Sequence, residues 1–262
     1  MKNKSSIFVL LMAWVLVGPH LCRASVGAIS GKFSISPTEQ VRFAQGNLQY
    51  QDSDKVWRFA EHQWDYIGEA NKDISSTNGW IDLFGWGTGN NPTNAYMDNE
   101  AYAMFSDWGN NAIGNGNGQH WRTLTNEEWG YVFNERKTAS GIRFAKAKVN
   151  GVNGVILLPD DWSNTAYRVK YANKEKAGFS SNTLNASKWS DLERAGVVFL
   201  PAAGSRWGTM VYHLGSYGYY WSATVNGYND AYGVFFVNRG LLPQSILLKE
   251  YGFSVRLVCP VE

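Results

Sequence analysis

Two cysteines among 262 residues are too few for a disulfide-dense scaffold or a cysteine-rich zinc site. Charge is scarce as well: charged residues make up 18% of the chain and hydrophobic residues 44%, a foldable composition and not that of a disordered tail. Neither a Pro/Ser-rich stretch nor a charge run interrupts the sequence, so it reads as one domain without linkers. The longest clear apolar run, Ile7 to Val17, is shorter than the ~20 residues a membrane-spanning helix needs.

That short run has another reading. Lys2 and Lys4 precede it, and Cys22-Arg23-Ala24 follows it with a small-x-small pattern, which predicts a signal peptide over residues 1–24 and an exported product. A lipid anchor on Cys22 is the alternative, although Pro19-His20-Leu21 lacks the small residue such sites prefer. Cleavage removes Lys2, Lys4 and Arg23, leaving 21 basic and 22 acidic side chains, a net charge near −1. The basic character needed for nucleic-acid binding is then gone, and no transmembrane span is expected. Cys259 becomes the single cysteine of the mature chain, read as a small apolar residue of a terminal strand.

What the chain does have is aromatic side chains (15%, with 12 Trp) and 27 Gly. From Gly85 to Gly118, 7 of 34 residues are Gly and 8 are Asn, a composition for turns and not for a helix or ladder. Trp80, Phe84, Trp86, Phe105, Trp108 and Trp121 lie in or beside it, predicting a long ordered loop pinned by rings. Residues 25–40 read as a lead-in and 41–262 as the domain. Alternation predicts strands at Val41–Phe43, Leu48–Tyr50 and Val56–Phe59, with a turn at Asp52-Ser53-Asp54. Thr125 and Glu128 form a capping box, with Leu124 and Trp129 as its hydrophobic staple and Arg136-Lys137 at the negative helix end. Further strands are expected at Phe144–Val149 and Val155–Leu158, joined through turns at Asn150-Gly151 and Asn153-Gly154. A second helix carries Trp189 and Leu192 and stops at Gly196. Val197–Leu200, Tyr219–Thr224, Tyr232–Val237 and Phe253–Val258 complete an α+β pattern of two helices on an irregular antiparallel sheet.

Searching for chemistry gives little. His62, His120 and His213 are far apart and outside any H-E-x-x-H pattern, and Ser216 lacks the G-x-S-x-G elbow. Gly85, Gly87 and Gly89 are not placed between a strand and a helix. Asp160-Asp161 suits a cation or a cap equally; Asp107, Asn110, Asn115 and Asn117 offer oxygens for calcium without EF-hand spacing. No cofactor is specified, structural calcium being open, and no enzyme is specified either.

The run Trp121–Trp129 resembles the helix start of formylglycine-generating-enzyme-like domains. Gly218–Thr224, Gly252–Val258, Asn150–Trp162 and Val198–Gly204 resemble motifs of the Fibrobacter succinogenes major paralogous domain and related Bacteroidetes surface proteins. The resemblance implies a C-type-lectin-like fold with a ligand face built by the C-terminal third. Formylglycine-generating enzymes use a cysteine pair, which the mature chain lacks, so the resemblance does not carry that activity. The calcium-binding Glu-Pro-Asn and Trp-Asn-Asp elements of sugar-binding C-type lectins are not matched by Asn90-Asn91-Pro92 or Tyr228-Asn229-Asp230.

The tail from Gly218 to Val258 is also similar to variable proteins of diversity-generating retroelements. That likeness makes Trp221, Phe235 and Phe253 scaffold, and Asn226, Tyr228, Asn229, Asp230, Tyr232, Asn238, Arg239 and Gln244 the ligand-facing set. Ile246-Leu247-Leu248 reads as an apolar patch or as a buried strand. The expectation is an exported or surface-displayed, adhesin-like domain binding a protein or glycan at a cell or host surface. The alternatives are an enzyme of the formylglycine-generating type and a fimbria-associated structural component.

Overall fold

The structure, a computed structural model, describes residues 27–74, 79–163 and 167–261. The expected signal peptide and Cys22 lie outside the described residues. The opening segments form β1 (Phe33–Ser34), β2 (Gln40–Phe43), β3 (Leu48–Gln51), β4 (Val56–Phe59) and β5 (Trp80–Ile81). Strands β2 and β4 alternate as predicted, whereas in β3 Gln49 is buried together with Leu48 and Tyr50, β3 being the central strand of its sheet. Strand β3 lies between β4 and β5 in an antiparallel sheet. The segment read as a lead-in does more than lead in: it supplies β1, and Ile29, Phe33 and Ile35 enter the main core.

Residues 85–118 contain only short helical turns at Asn99–Tyr102 and Trp108–Asn110, yet Trp86, Tyr102 and Trp108 are buried. Each such ring removes on the order of 150–250 Å² from water, which opposes the entropy of ordering so many Gly and Asn residues. Trp86 and Trp108 join Trp57, Phe59, Phe84, Trp121, Trp221 and Phe253 in one aromatic core. Asp107 and Asn115, offered above as calcium ligands, serve the fold: Asp107 accepts from Gly109 and Thr123, and Asn115 exchanges two bonds with the Phe59 backbone.

Helix α1 (Asn126–Gly130) starts with the expected capping box and runs into a wider turn, Tyr131–Glu135. Glu128 Oε2 accepts from the Thr125 amide at 2.8 Å while the Thr125 hydroxyl accepts from the Glu128 amide at 3.2 Å. Arg136 does cap the helix end, donating to the Val132 carbonyl at 2.7 Å, but it is also fully buried and paired with Asp160 at 2.9 Å. Asp160 is thereby committed to structure, its other oxygen accepting from Ser34 and Gln40.

Strands β6 (Phe144–Val149), β7 (Val152–Leu157), β8 (Thr183–Leu184) and β9 (Val198–Pro201) form a sheet in the order β8-β6-β7-β9, with only β8 parallel to its neighbour. Asn150 and Gly151, both at positive φ, make the expected turn. Asn153-Gly154 is not a turn but part of β7, where Gly154 admits β9: a Cβ there would sit 2.3 Å from the Leu200 carbonyl oxygen. Both faces of this sheet are covered. Phe144, Val155, Leu157, Val198 and Leu200 face the main core, while Ala145, Ala147, Ile156 and Phe199 meet Trp189 and Leu192 of α2 (Ala186–Arg194). Helix α2 stops before Gly196 at φ +86°, as predicted.

A hairpin of β10 (Ser205–Trp207) and β11 (Met210–Tyr212) precedes the meander β12 (Tyr217–Asn226), β13 (Asp230–Val237) and β14 (Gly240–Leu248). The expected strand Phe253–Val258 shrinks to bridges: Phe253 pairs with Phe84 and Ser254 with Tyr220, and the strand proper, β15, is Val258–Pro260 beside β2. In β15, Cys259 is buried at 1% exposure within the aromatic core. No helix among the described residues is long and apolar enough to cross a membrane.

Asp82, buried after β5, anchors the turn Gly68–Lys72, which packs against β11. It accepts from the Ile67 amide at 2.9 Å and the Asn71 side chain at 2.8 Å. Burial still dominates and pushes its carboxyl up to about 6. A carboxyl raised on folding makes the native state bind the proton between about pH 4 and 6, so stability rises as pH falls through that window. Relative to Asp82→Asn, the wild type is expected to gain about 1 kcal/mol between pH 7 and 5. Urea titrations of both chains at the two pH values measure it; parallel shifts would refute the assignment.

Candidate functional site

The eight residues expected to face a ligand do not converge. Asn226 and Asp230 close the β12–β13 hairpin with Tyr228 and Asn229 at its tip, Tyr228 being 64% exposed. Asn238 and Arg239 form the β13–β14 turn at the opposite end of the meander. Seven residue steps of β13 separate the two tips, about 23 Å at roughly 3.3 Å each. Tyr232 stands between them opposite Ile246, and Gln244 donates to the Asn126 carbonyl at the start of α1. Asn238 is held by the Phe179 amide, its Oδ1 accepting at 3.1 Å. The set therefore divides into two tips, one mid-strand tyrosine and one residue bonded to α1.

Each tip is clamped by a lysine. The Lys249 ammonium donates to the Gly227 and Tyr228 carbonyls at 3.0 and 2.9 Å and lies 4.8 Å above the Trp86 ring. The Lys146 ammonium donates to the carbonyls of Val237 and Gly240 beneath the other turn and faces the rings of Phe179 and Phe236. Burial pushes both ammonium groups down, Lys146 to about 8.

Ile246-Leu247-Leu248 satisfies both earlier readings by alternating: Leu247 is buried, and Ile246 and Leu248 are exposed. These residues form one wall of a cleft of about 520 Å³ that the sequence reading did not identify. Its other walls are Trp207 of β10, Tyr212 of β11, His213, Tyr219 of β12, and Tyr251 and Phe253.

Neighbouring rings run nearly parallel along it. Trp207 and Tyr251 are 6.1 Å apart at 14°, Tyr251 and Phe253 5.9 Å at 18°, and Phe253 and Tyr219 4.5 Å at 16°. Tyr219 continues to Phe235 at 4.9 Å, and His213 lies on Tyr217 at 4.2 Å and 9°. Alternation along β12 explains the series, since Tyr217, Tyr219 and Trp221 share one face while Gly218 and Tyr220 face the main core. Trp221 and Phe253 are buried scaffold as expected; Phe235 is only half-buried.

Rigid supports lie below. Arg206, buried, donates to the carbonyls of Leu83, Gly208 and Asn94, and its backbone exchanges two bonds with Gly252. Three segments are stapled there under Trp207 and Tyr251. The Trp207 indole N–H donates to Glu250 at 3.2 Å, fixing the ring's edge. Burial pushes the Tyr219 hydroxyl up to about 12, with Tyr217 and Tyr251 adding to the shift, so it stays protonated at neutral pH. Among the described residues, the Tyr219 and Tyr251 hydroxyls bond to no protein group. The rings cover one another's faces, so the cleft offers apolar walls of ring edges and aliphatic side chains with polar hydroxyls among them, an arrangement that binds by shape and apolar contact. Among the described residues no group of three or more His, Cys, Asp or Glu is gathered for a metal ion. Comparison with family models, curated proteins and solved structures returns no match.

Proposed function

We propose that the chain is an exported, surface-displayed binding domain of lectin-like fold, without enzymatic activity, that captures a glycan on the aromatic cleft between β10–β11 and β12. The series of near-parallel rings from Trp207 to Tyr219 carries this reading. The stack holds the cleft's apolar walls rigid, and the C–H side of a sugar ring is the apolar surface that fits against such walls. The sugar's hydroxyls then meet the hydroxyls of Tyr219 and Tyr251. The α+β architecture and the leader pattern at Lys2–Ala24 are in keeping with the lectin-like and exported parts of the proposal. Burial of Cys259 inside β15 speaks for a packing role over thiol chemistry.

The test is binding to an oligosaccharide array with variants on the cleft. Truncating two central stacking rings at about 2 kcal/mol each makes Tyr219→Ala/Tyr251→Ala several hundred-fold weaker. The rim pair Tyr212→Ala/His213→Ala, on exposed side chains, is expected to lose about tenfold while melting like wild type. Changes at the β12–β13 tip, Tyr228→Ala/Asn229→Ala, which lies outside the cleft lining, leave capture intact. Failure of wild type to bind any oligosaccharide, or full capture by the rim and cleft variants, would overturn the reading.

A further inference from the structure

Tyr217 stands next to the cleft without belonging to its lining. It stacks on His213 on one side and on the other lines a second concavity of about 380 Å³ with Lys148 and Asn153. Ser180 and Asn238 are shared between that hollow and a third of about 810 Å³, whose rim carries Lys174, Lys176 and Arg239. They form a row from Trp207 to Arg239, the second and third joined through Ser180 and Asn238 and the first adjoining them at the His213–Tyr217 stack. No carboxylate lines its second and third parts, Glu175 being exposed to solvent between the two lysines. Among the described residues, Lys148, Lys174, Lys176 and Arg239 make no ion pair.

Arg239 is also held in an unusual way. It sits at φ +68° in a two-residue turn, a position that glycine fills more readily. Its amide donates to the Ala177 carbonyl, Asn238 is fixed by Phe179, and Lys146 ties the carbonyls on both sides of the turn. A strained, cross-braced turn that presents a cation beside two unpaired lysines is organised before any ligand arrives. Four unpaired cations along this row attract anions. From Phe235, beside Tyr219, to Arg239 is four residue steps, about 13 Å, the reach of a few sugars.

We propose that the ligand is an acidic glycan, its sugar rings seated in the cleft walled by Tyr219 and Tyr251 and its carboxylate or sulfate groups held by Lys148, Lys174, Lys176 and Arg239. This rests on the cleft reading above and adds the ligand's charge. The array should carry neutral, uronate-bearing and sulfated oligosaccharides, so that its two acidic arms separate carboxylate from sulfate recognition. Wild type is expected to prefer one acidic arm over neutral sugars by at least tenfold. Lys174→Ser/Lys176→Ser/Arg239→Ser should lose at least tenfold on that arm, whereas Lys72→Ser/Lys137→Ser/Lys188→Ser, of equal charge change elsewhere, should lose less than twofold. Affinity should fall as ionic strength rises and the Debye length shrinks from about 30 Å to about 8 Å. Equal binding of neutral and acidic sugars, or equal losses in the two triple variants, overturns the acidic-glycan inference while leaving the cleft reading in place. Loss of the cleft reading itself shows separately, as capture by Tyr219→Ala/Tyr251→Ala at wild-type strength.

Discussion

Replacing Arg136 by methionine is expected to destabilise the fold by about 3–5 kcal/mol, lowering the melting temperature by roughly 10 °C for a chain of this size. The side chain of Arg136 is fully buried and that of Asp160 is 14% exposed, with 2.9 Å between their charged atoms. Burial pushes the guanidinium down to about 10, against the pull of Asp160, so it remains charged at neutral pH. Besides pairing, it donates to the carbonyls of Val132 and Arg143 and lies 5.1 Å from the centre of the Phe33 ring. Among the described residues, removing it leaves the carboxylate with only Ser34 and Gln40 as donors and takes a donor from the Val132 and Arg143 carbonyls. The charge mismatch is the larger part, so Arg136→Met/Asp160→Asn should recover at least half of the loss. Chemical denaturation of the single and double variants decides: a single-variant loss under 1 kcal/mol, or no recovery in the double, would show that the pair is not what joins β1 to the end of α1.

The capping box was legible because its chemistry is local: Thr125 and Glu128 need only each other. Arg136 was legible as a helix-end cation, but its partner lies 24 residues away, and nothing in the spacing announces that. The same limit explains Asn153-Gly154. Its sequence matches that of a turn, yet the turn is already complete at Asn150-Gly151, and Gly154 is required by the approach of β9. Strand β14 was hidden by Pro243, which lies where the pairing with β13 slips between Ser245 and Leu242.

The candidate site was legible in kind and not in place. Polar residues at Asn226 to Asp230 and at Asn238-Arg239 drew attention because turn residues and paratope residues are the same types. Tyr217, Tyr219 and Tyr251, in contrast, carry no such mark, and Phe253, a wall of the cleft, has the pattern of scaffold. The available signal was the alternation Tyr217, Tyr219, Trp221 along β12, which sets three rings on one face; only Trp221, at 1% exposure, is completely covered. Which of them stay open depends on β10–β11 and on Tyr251, brought in from distant parts of the sequence.

Lys146 shows the same limit, and its charge gives a second large effect. Within Phe144–Val149 it looks like the outward residue of an alternating strand, but α2 and the main core cover both faces of this sheet, and Lys146 is 0% exposed. Its ammonium is pushed down to about 8 by burial, and it donates to the Val237 and Gly240 carbonyls. A lysine whose folded value lies below its unfolded 10.5 binds fewer protons when native, so its burial costs most below pH 8 and progressively less as pH rises towards 10.5. Measured against Lys146→Met, the wild type is therefore expected to gain about 2 kcal/mol of stability between pH 7 and 9.5. Over the same range the neutral amine keeps donors for the turn. In Lys146→Met both carbonyls lose them, so the Arg239 amide, bonded to the Ala177 carbonyl, should exchange its hydrogen faster at every pH. A stability difference flat in pH would place the titration elsewhere. Unchanged exchange at Arg239 would mean that the turn's left-handed backbone is held by Asn238 and Phe179 without the lysine beneath it.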